Sequence, residues 1–450
     1  MHKENALYYQ MREYNQYRIL YLIIILIGFQ QFPVINVGGS LKIYEVLALL
    51  ILLLYRPKIK WDTITIGLFI LFVFSPLLSF FNSLLFLNRP DIFFVHYKEA
   101  RDSFKFDNPL YTFLQLIYMF FNFAVIIAII KNDYIYINID KIVKKVVWVG
   151  TFISIYSLIC FIIDYNPILQ LPNSIQKISL YHYRTLGFSQ EPSFYVLFQG
   201  WIVLFSFYLK DKMKFKKWLL LFFINFLSLL LTFSSSLVAY LIIVLVSLFL
   251  FKIKKKYIFL LLIIIGGGCV LLYYIFDYFG MMDVAIWTFV DKLDAFVINE
   301  NMEAVSSGGQ RGYTIKIGYE IFKEYPILGV GVGNSVFYMI SFGDIVGRQY
   351  YEIADLGLGM MPLSLYSCVL SEQGILGFLG LIIIMIYVSI KTFNCRKKSE
   401  LSSFFFIGVI FNFAVMFAIP IVYSLFLWVF MALGIGYNQR LIKDEKNTSN

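Results

Sequence analysis

The sequence predicts an all-α polytopic membrane protein with about twelve spanning helices and one long polar segment late in the chain. Three observations predict it. Apolar runs of roughly 17 to 22 residues recur, the length a helix needs to cross ~30 Å of hydrocarbon. Only 15% of the 450 residues are charged and 60% are hydrophobic, whereas a soluble domain is about 25% charged. Lys and Arg also gather in short loops that, taken alternately, all fall on one side of a membrane. The net charge of +10 therefore reflects loop placement and gives no ground for nucleic-acid binding.

In chain order, the expected spans are 18–36, 41–55, 63–86, 109–130, 146–163, 194–209, 218–233, 237–251 and 257–276. After a gap come 370–390, 402–419 and 421–436. A polar lead precedes the first run and no small-residue cleavage site follows it, so it reads as a retained helix. With the N-terminus cytoplasmic, RPKIK (56–60), 131–145, KDKMKFKK (210–217), KIKKK (252–256), 391–398 and the C-terminal tail all lie inside. Together with the N-terminal lead these hold about 26 of the 38 Lys and Arg, the bias expected of short cytoplasmic loops. The polar segments 87–108, 164–193 and 277–369 then face outward. The expected organisation is a transmembrane bundle over 1–276, an extracytoplasmic loop over 277–369, and closing helices with a cytoplasmic tail over 370–450.

The spans are nearly free of charge, with Glu45 the main exception. Ion-coupled transport normally needs ionisable residues at membrane depth, and this chain largely lacks them. Gln115, Asn122, Gln199 and Asn225 read either as hydrogen bonds between helices or as functional polar groups. Cys160, Cys269, Cys368 and Cys395 are scattered without a close pair, so neither a disulfide framework nor a metal site is expected, and no cofactor is implied.

Polar chemistry concentrates in two stretches. The first is GGQRGYTIKIGYEIFKEYPILGVGVGN (308–334). Ile315, Tyr319 and Phe322, with Ile317 and Ile321, recur at helical spacing, and Pro326 stops the helix. GVGVGN lacks the Gly-Lys-Ser/Thr of a phosphate-binding loop; it reads either as turns needing positive φ or as backbone closely approaching a ligand. Arg311 is either paired with a nearby acid or an anion clamp, since a guanidinium grips phosphate in a two-pronged fork. Lys316 and Lys323 share the segment and look like solvated helix faces. The second stretch is YHYRTLGFSQEPSFYVLF (181–198), where Arg184, Gln190 and Glu191 stand at the mouth of a span and Pro192 suits its first turn. Snorkelling or helix capping explains Arg184 and Glu191 as readily as function does, and His182 reads as an interfacial packing residue. An outward site excludes ATP and nucleotide sugars, which are cytoplasmic.

Taken with TFSSSLVAYLIIV (232–244) and LYSCVLSEQGILGFLG (365–380), the stretches RTLGFSQEPSFYVLF (184–198) and RGYTIKIGYEIFKEYPILGVGVGN (311–334) resemble the O-antigen ligase/polymerase superfamily. The likeness runs over roughly residues 145–390. Two departures bear on the choice within it. MPLSLYS (361–367) has no histidine where ligases typically open their last motif with a His-Asn pair. Ser234–Ser236 stand without the arginine that often follows. Both favour a repeat-unit polymerase of the Wzy type over a ligase.

The resemblance implies a GT-C-like fold in the bacterial inner membrane and a metal-independent glycosyltransferase site on the periplasmic face. Its donor and acceptor would be glycans on undecaprenyl diphosphate, and a chain-length regulator protein is a further partner open to it. By the same resemblance Arg184, Arg311 and Glu191 are the catalytic candidates. Arg101, His182, Gln190, Lys316, Tyr313, Asn334 and Glu372 are substrate-binding candidates. A lipid-linked sugar flippase is the competing class, and the internal repeat it would normally show is not evident.

Overall fold

The computed structural model describes residues 2–30, 34–36, 40–54, 61–85, 87, 108–163, 184–189, 191–250, 307–339, 342, 361–420, 422 and 424–448, with residues 266, 274 and 277. Helix α1 (His2–Leu26) is followed by a short antiparallel ribbon of β1 (Val34–Asn36) and β2 (Ser40–Lys42) and then by α2 (Ile43–Leu54). The expected first span, 18–36, therefore ends as helix at Leu26, and its tail is a strand.

Next come α3 (Thr63–Leu85), α4 (Asn108–Lys131), the single turn α5 (Asp133–Ile137), α6 (Ile139–Ile162), α7 (Pro192–Tyr208), α8 (Phe215–Leu230) and α9 (Ser235–Leu250). Past the undescribed stretch lie α10 (Ser307–Glu324), α11 (Ser335–Met339), α12 (Leu365–Cys395), α13 (Glu400–Val415) and α14 (Leu425–Thr448).

Among the described residues five helices are long and apolar enough to cross a membrane: those beginning at Thr63, Thr112, Ile139, Leu365 and Leu425. Three shorter apolar helices accompany them, Pro192–Tyr208, Ser235–Ser247 and Glu400–Val415. This is the architecture of a multi-pass membrane protein. The expected span 257–276 lies almost wholly outside the described residues.

Helix α7 is the axis of the bundle. Gln199 apart, its sequence is apolar, aromatic or small-polar all the way round, and every residue from Pro192 to Tyr208 is buried, as a helix with no polar face must be. It packs between α6, α8, α9 and α13. The few polar groups at this depth bond between helices. Gln199 Nε2 donates to Ser154 Oγ (2.8 Å) and to Asn225 Oδ1 (3.0 Å), and Asn225 Nδ2 donates to Thr151 Oγ1 (2.8 Å). Trp201 Nε1 donates to Asn412 Oδ1 (2.9 Å). Gln199 and Asn225 thus take the first of their two sequence readings. Glu45 is likewise accounted for: in the first turn of α2 it accepts from the Lys42 backbone N–H (2.8 Å) and pairs with its ammonium (3.1 Å).

Helix α12 is broken in its first half. Gly374 has φ +63° and ψ −160° inside an otherwise helical run. A helix break in hydrocarbon exposes backbone groups that need partners within the protein, and here residues 326–331, which lead into the GVGVGN turn, supply them. Val330 and Gly331 N–H donate to the Ser371 and Glu372 carbonyls (2.9 and 3.0 Å), while Ile375 and Leu376 N–H donate to Pro326 and Ile327 (2.8 and 3.4 Å). Helix α3 adds Ser79 Oγ to the Glu372 carbonyl (2.5 Å) and Ser75 Oγ to that of Gln373 (3.3 Å). The break is thereby a joint between a membrane helix and the polar segment before it.

Candidate functional site

The segment 184–189 is a plug seated on the C-terminal end of α8. Thr185 Oγ1 donates to the Ser228 carbonyl (2.6 Å) and Thr185 N–H to that of Leu231 (3.1 Å). Gly187 has φ +55°, donates its N–H to Ser157 Oγ (3.0 Å), and lies so close to Tyr195 that a Cβ would fall 2.6 Å from the ring. Phe188 stacks between Phe29 and Tyr156, with centroids 4.9 and 4.8 Å away. Thr185, Leu186, Phe188 and Ser189 are buried, while Arg184 is half-buried at the edge of the plug.

Arg184 turns back onto the α8–α9 connection. Its Nε donates to the Thr232 carbonyl and its Nη2 to the Phe233 carbonyl, both at 2.8 Å. Both carbonyls lie just past the C-cap of α8, Leu231, at the end of the helix where its dipole favours a cation. Phe233 stands at φ +45°, a conformation a bulky residue adopts only when its surroundings impose it. Arg184 thus holds the α8–α9 connection by two backbone carbonyls.

Arg311 comes to the same connection from α10, its Nη1 lying 3.4 Å from Ser235 Oγ, the first residue of α9. The next hydroxyl, Ser236 Oγ, is buried and makes no hydrogen bond among the described residues. A helix N-terminus presents unpaired N–H groups and the positive end of its dipole. Two guanidinium groups, the start of α9 and the Ser235 and Ser236 hydroxyls thus meet at one four-residue turn. The arrangement suits an anion.

The last motif joins the same place. Thr314 Oγ1 accepts from Leu363 N–H (3.1 Å) and donates to the Arg311 carbonyl (3.2 Å), and Ser367 Oγ donates to the Ile315 carbonyl (3.1 Å). Gly318 lets the two segments close: a Cβ there would sit 2.3 Å from Ser367 Oγ. Along α10, Thr314, Ile317, Gly318 and Ile321 form the buried face, and Tyr319 on the other row is half exposed.

The other sequence candidates are distributed as follows. Glu191 is the N-cap residue of α7, with Pro192 at its first turn, and accepts from Ser193 Oγ (3.2 Å). Tyr313 is half-buried one turn from the Arg311 end of α10, and Lys316 is exposed. Lys323 is held by Glu320 (2.8 Å), whose carboxylate raises the lysine above its ordinary value. Asn334 is fully buried: its Nδ2 donates to Ser83 Oγ (2.7 Å) and the Val330 carbonyl (2.9 Å), and its Oδ1 accepts from Thr112 (2.6 Å). Glu372 is buried at the α12 break, accepting from Ser335 Oγ (2.6 Å) with the Gly333 and Ser335 N–H groups beside it. Asn334 and Glu372 hold the turn together from within. Arg101, His182 and Gln190 lie outside the described residues.

Sequence reasoning passed over two features. Ser75, Ser79 and Ser83 recur every four residues along α3, and that spacing in SPLLSFFNS was a readable sign of one polar stripe facing a partner. The α8–α9 turn as the meeting point carried no such sign, because positive φ at a phenylalanine is set by tertiary contacts.

A search among curated proteins finds no match. A family model described as O-antigen ligase matches residues 220–382, a stretch that takes in the α8–α9 turn, Arg311, the GVGVGN turn and the break in α12. Residues 220–382 are thus similar to the O-antigen ligase family, which is consistent with the O-antigen ligase/polymerase superfamily.

Proposed function

We propose that the protein polymerises oligosaccharide repeat units carried on undecaprenyl diphosphate, at the periplasmic face of the bacterial inner membrane with both termini cytoplasmic. The single observation that carries this reading is the convergence of Arg184 and Arg311 on the turn Thr232–Ser235. It is supported by the family match over that turn and by the side assigned to it by the loop charges. The histidine-free MPLSLYS segment supports polymerisation over ligation.

In the reaction, an acceptor hydroxyl oxygen bonds to the anomeric carbon of the donor glycan. The bond from that carbon to the diphosphate oxygen breaks, and its electron pair leaves with undecaprenyl diphosphate. Negative charge therefore grows on the diphosphate, and fixed cations facing it lower the barrier most where water is excluded. Arg311 and the first N–H groups of α9 would meet that charge, with Arg184 shaping the turn and adding its own charge. Glu191 would take the hydroxyl proton.

Arg184→Ala and Arg311→Ala are each expected to abolish chain growth while the protein still reaches the membrane. Normal glycan ladders from both variants would rule the clamp out. Deleting the gene separates the three functions. Single repeat units left on the lipid at the outer face mean a lost polymerase. Long chains stranded on the lipid mean a lost ligase, and units retained at the inner face a lost flippase.

A further inference from the structure

At the end of the bundle away from Arg184 and Arg311, five described basic residues are ion-paired. Lys131 meets Asp62 (2.9 Å), Lys212 meets Asp140 (2.8 Å) and Arg440 meets Asp133 (3.0 Å), while Lys210 and Lys398 pair with Glu400 and Glu445. Among the described lysines outside these pairs, six lie on two helices that pack together. Lys141, Lys144 and Lys145 on α6, and Lys214, Lys216 and Lys217 at the start of α8, are all exposed, and among the described residues none has a carboxylate within ion-pair distance. The nearest acids in sequence, Asp140 and Asp211, already face Lys212 and Lys210.

The six form one patch. Helices α6 and α8 pack against each other, and the Lys217 ammonium lies 4.8 Å from the ring centroid of Trp148 on α6. Lys141, Lys144, Lys145 and Trp148 share one face of α6, and the same face continues into exposed Phe152, Ile155 and Ile159. On α8 the lysines likewise lead to exposed Leu220 and Phe223. Each helix thus offers an apolar stripe ending in ammonium groups, with an indole at the level where amphipathic rings settle at a membrane surface.

We propose that this α6–α8 face is a binding site for an anionic phospholipid. The acyl chains would lie along Phe152, Ile155 and Leu220, and the headgroup phosphate would sit among the six lysines. Among the described residues their charge has no counterion, and an anionic lipid surface supplies one. The site is separate from the Arg184–Arg311 turn and does not depend on the reaction proposed there.

The test uses the full-length protein in detergent, titrated with phosphatidylglycerol or with phosphatidylcholine of the same acyl chains. Thermal unfolding and lipid retained after washing are measured. Phosphatidylglycerol is expected to be retained at about tenfold lower concentration and to raise Tm. That advantage should vanish near 0.5 M salt, where the screening length falls to roughly 4 Å. Replacing all six lysines by Gln should remove the preference, and Lys141→Gln, Lys144→Gln and Lys145→Gln together should halve it. Equal retention of the two lipids, a preference insensitive to salt, or an unchanged preference in the triple variant would overturn the assignment. So would displacement of phosphatidylglycerol by an equal concentration of inorganic phosphate, because the apolar stripes would then contribute nothing. The wild-type comparison decides the matter even if the six-fold variant fails to accumulate.

Discussion

Arg184 and Phe233 hold each other in place: the arginine Nη2 donates to the Phe233 carbonyl at 2.8 Å, and that carbonyl is aimed by a backbone at φ +45°. Nε takes the neighbouring Thr232 carbonyl at the same distance. A lysine carries one compact charge and cannot fork across both. Arg184→Lys should therefore lose about 1.5–3 kcal/mol of stability, the range for a hydrogen bond to a charged group. Arg311→Lys should leave Tm close to wild type and act on turnover. Equal melting temperatures for Arg184→Lys and wild type would show that the turn stands without the fork.

Two glycines, one at the break in α12 and one in α10, carry opposite predictions. Gly374 has φ +63°, and a Cβ there would lie 2.4 Å from the Ile327 carbonyl carbon. Gly374→Ala should cost at least ~1–2 kcal/mol from backbone handedness alone, with the clash added. Gly312 sits exposed in α10 with nothing within 4 Å of a new Cβ. Gly312→Ala should raise stability by about 0.8–1 kcal/mol through helix propensity. Thermal unfolding of both variants in detergent checks the pair, and a shift of the same sign would contradict the geometry.

Ser335 is the hydroxyl donor to the buried Glu372 carboxylate, at 2.6 Å from Oε1. Ser335→Ala removes the hydroxyl donor and leaves the backbone N–H groups of residues 333 and 335, a loss of about 1.5–3 kcal/mol for a hydrogen bond to a charged group. Ser335→Thr keeps the hydroxyl and should recover most of it. If alanine and threonine melt together, the bond adds nothing to the turn.

Asp62 is the N-cap of α3, accepting from the Thr65 N–H at 3.0 Å and its hydroxyl at 2.6 Å, and it pairs with Lys131 at 2.9 Å. Burial alone would raise its pKa, but the hydrogen bonds from Thr65 and Lys131 and the lysine charge carry it below the ordinary carboxylate value. A lowered folded-state pKa means stability that is fully present above the unfolded value and lost as pH falls through the folded one. Asp62→Ala should cost about 1 kcal/mol near neutral pH as a lost cap. It should also flatten the acid side of the Tm–pH curve. A variant whose acid limb matches wild type would remove Asp62 from that transition.

Much of the bundle could be read directly from the residues. The runs at 63–86, 109–130 and 370–390 correspond to α3, α4 and the core of α12, because a hydrocarbon solvent leaves a long apolar run few alternatives to helix. The stop at Pro326 was equally plain, since proline has no N–H to continue the ladder. The run 18–36 misled because hydrophobicity alone does not separate a helix end from a short strand. GVGVGN was read as turns or as a close approach to a ligand. All three of its glycines stand at positive φ, as the turn reading requires, and Gly329 also approaches the backbone of Glu372 and Gln373, where a Cβ would fall 2.4 Å from the Glu372 carbonyl carbon. Which segment lies opposite a glycine is a matter of tertiary packing, and one sequence does not encode it locally.

The four amide bonds from Val330, Gly331, Ile375 and Leu376 cross between the polar segment and the broken membrane helix. Two sit on each side, so neither partner can open while the other keeps its bonds. Deuterium uptake at these four amides should therefore be slow and simultaneous, as in a single cooperative unit. A protease that cut near Tyr325 would loosen α12 at Gly374, so a nick in the polar segment would register as a change inside the membrane.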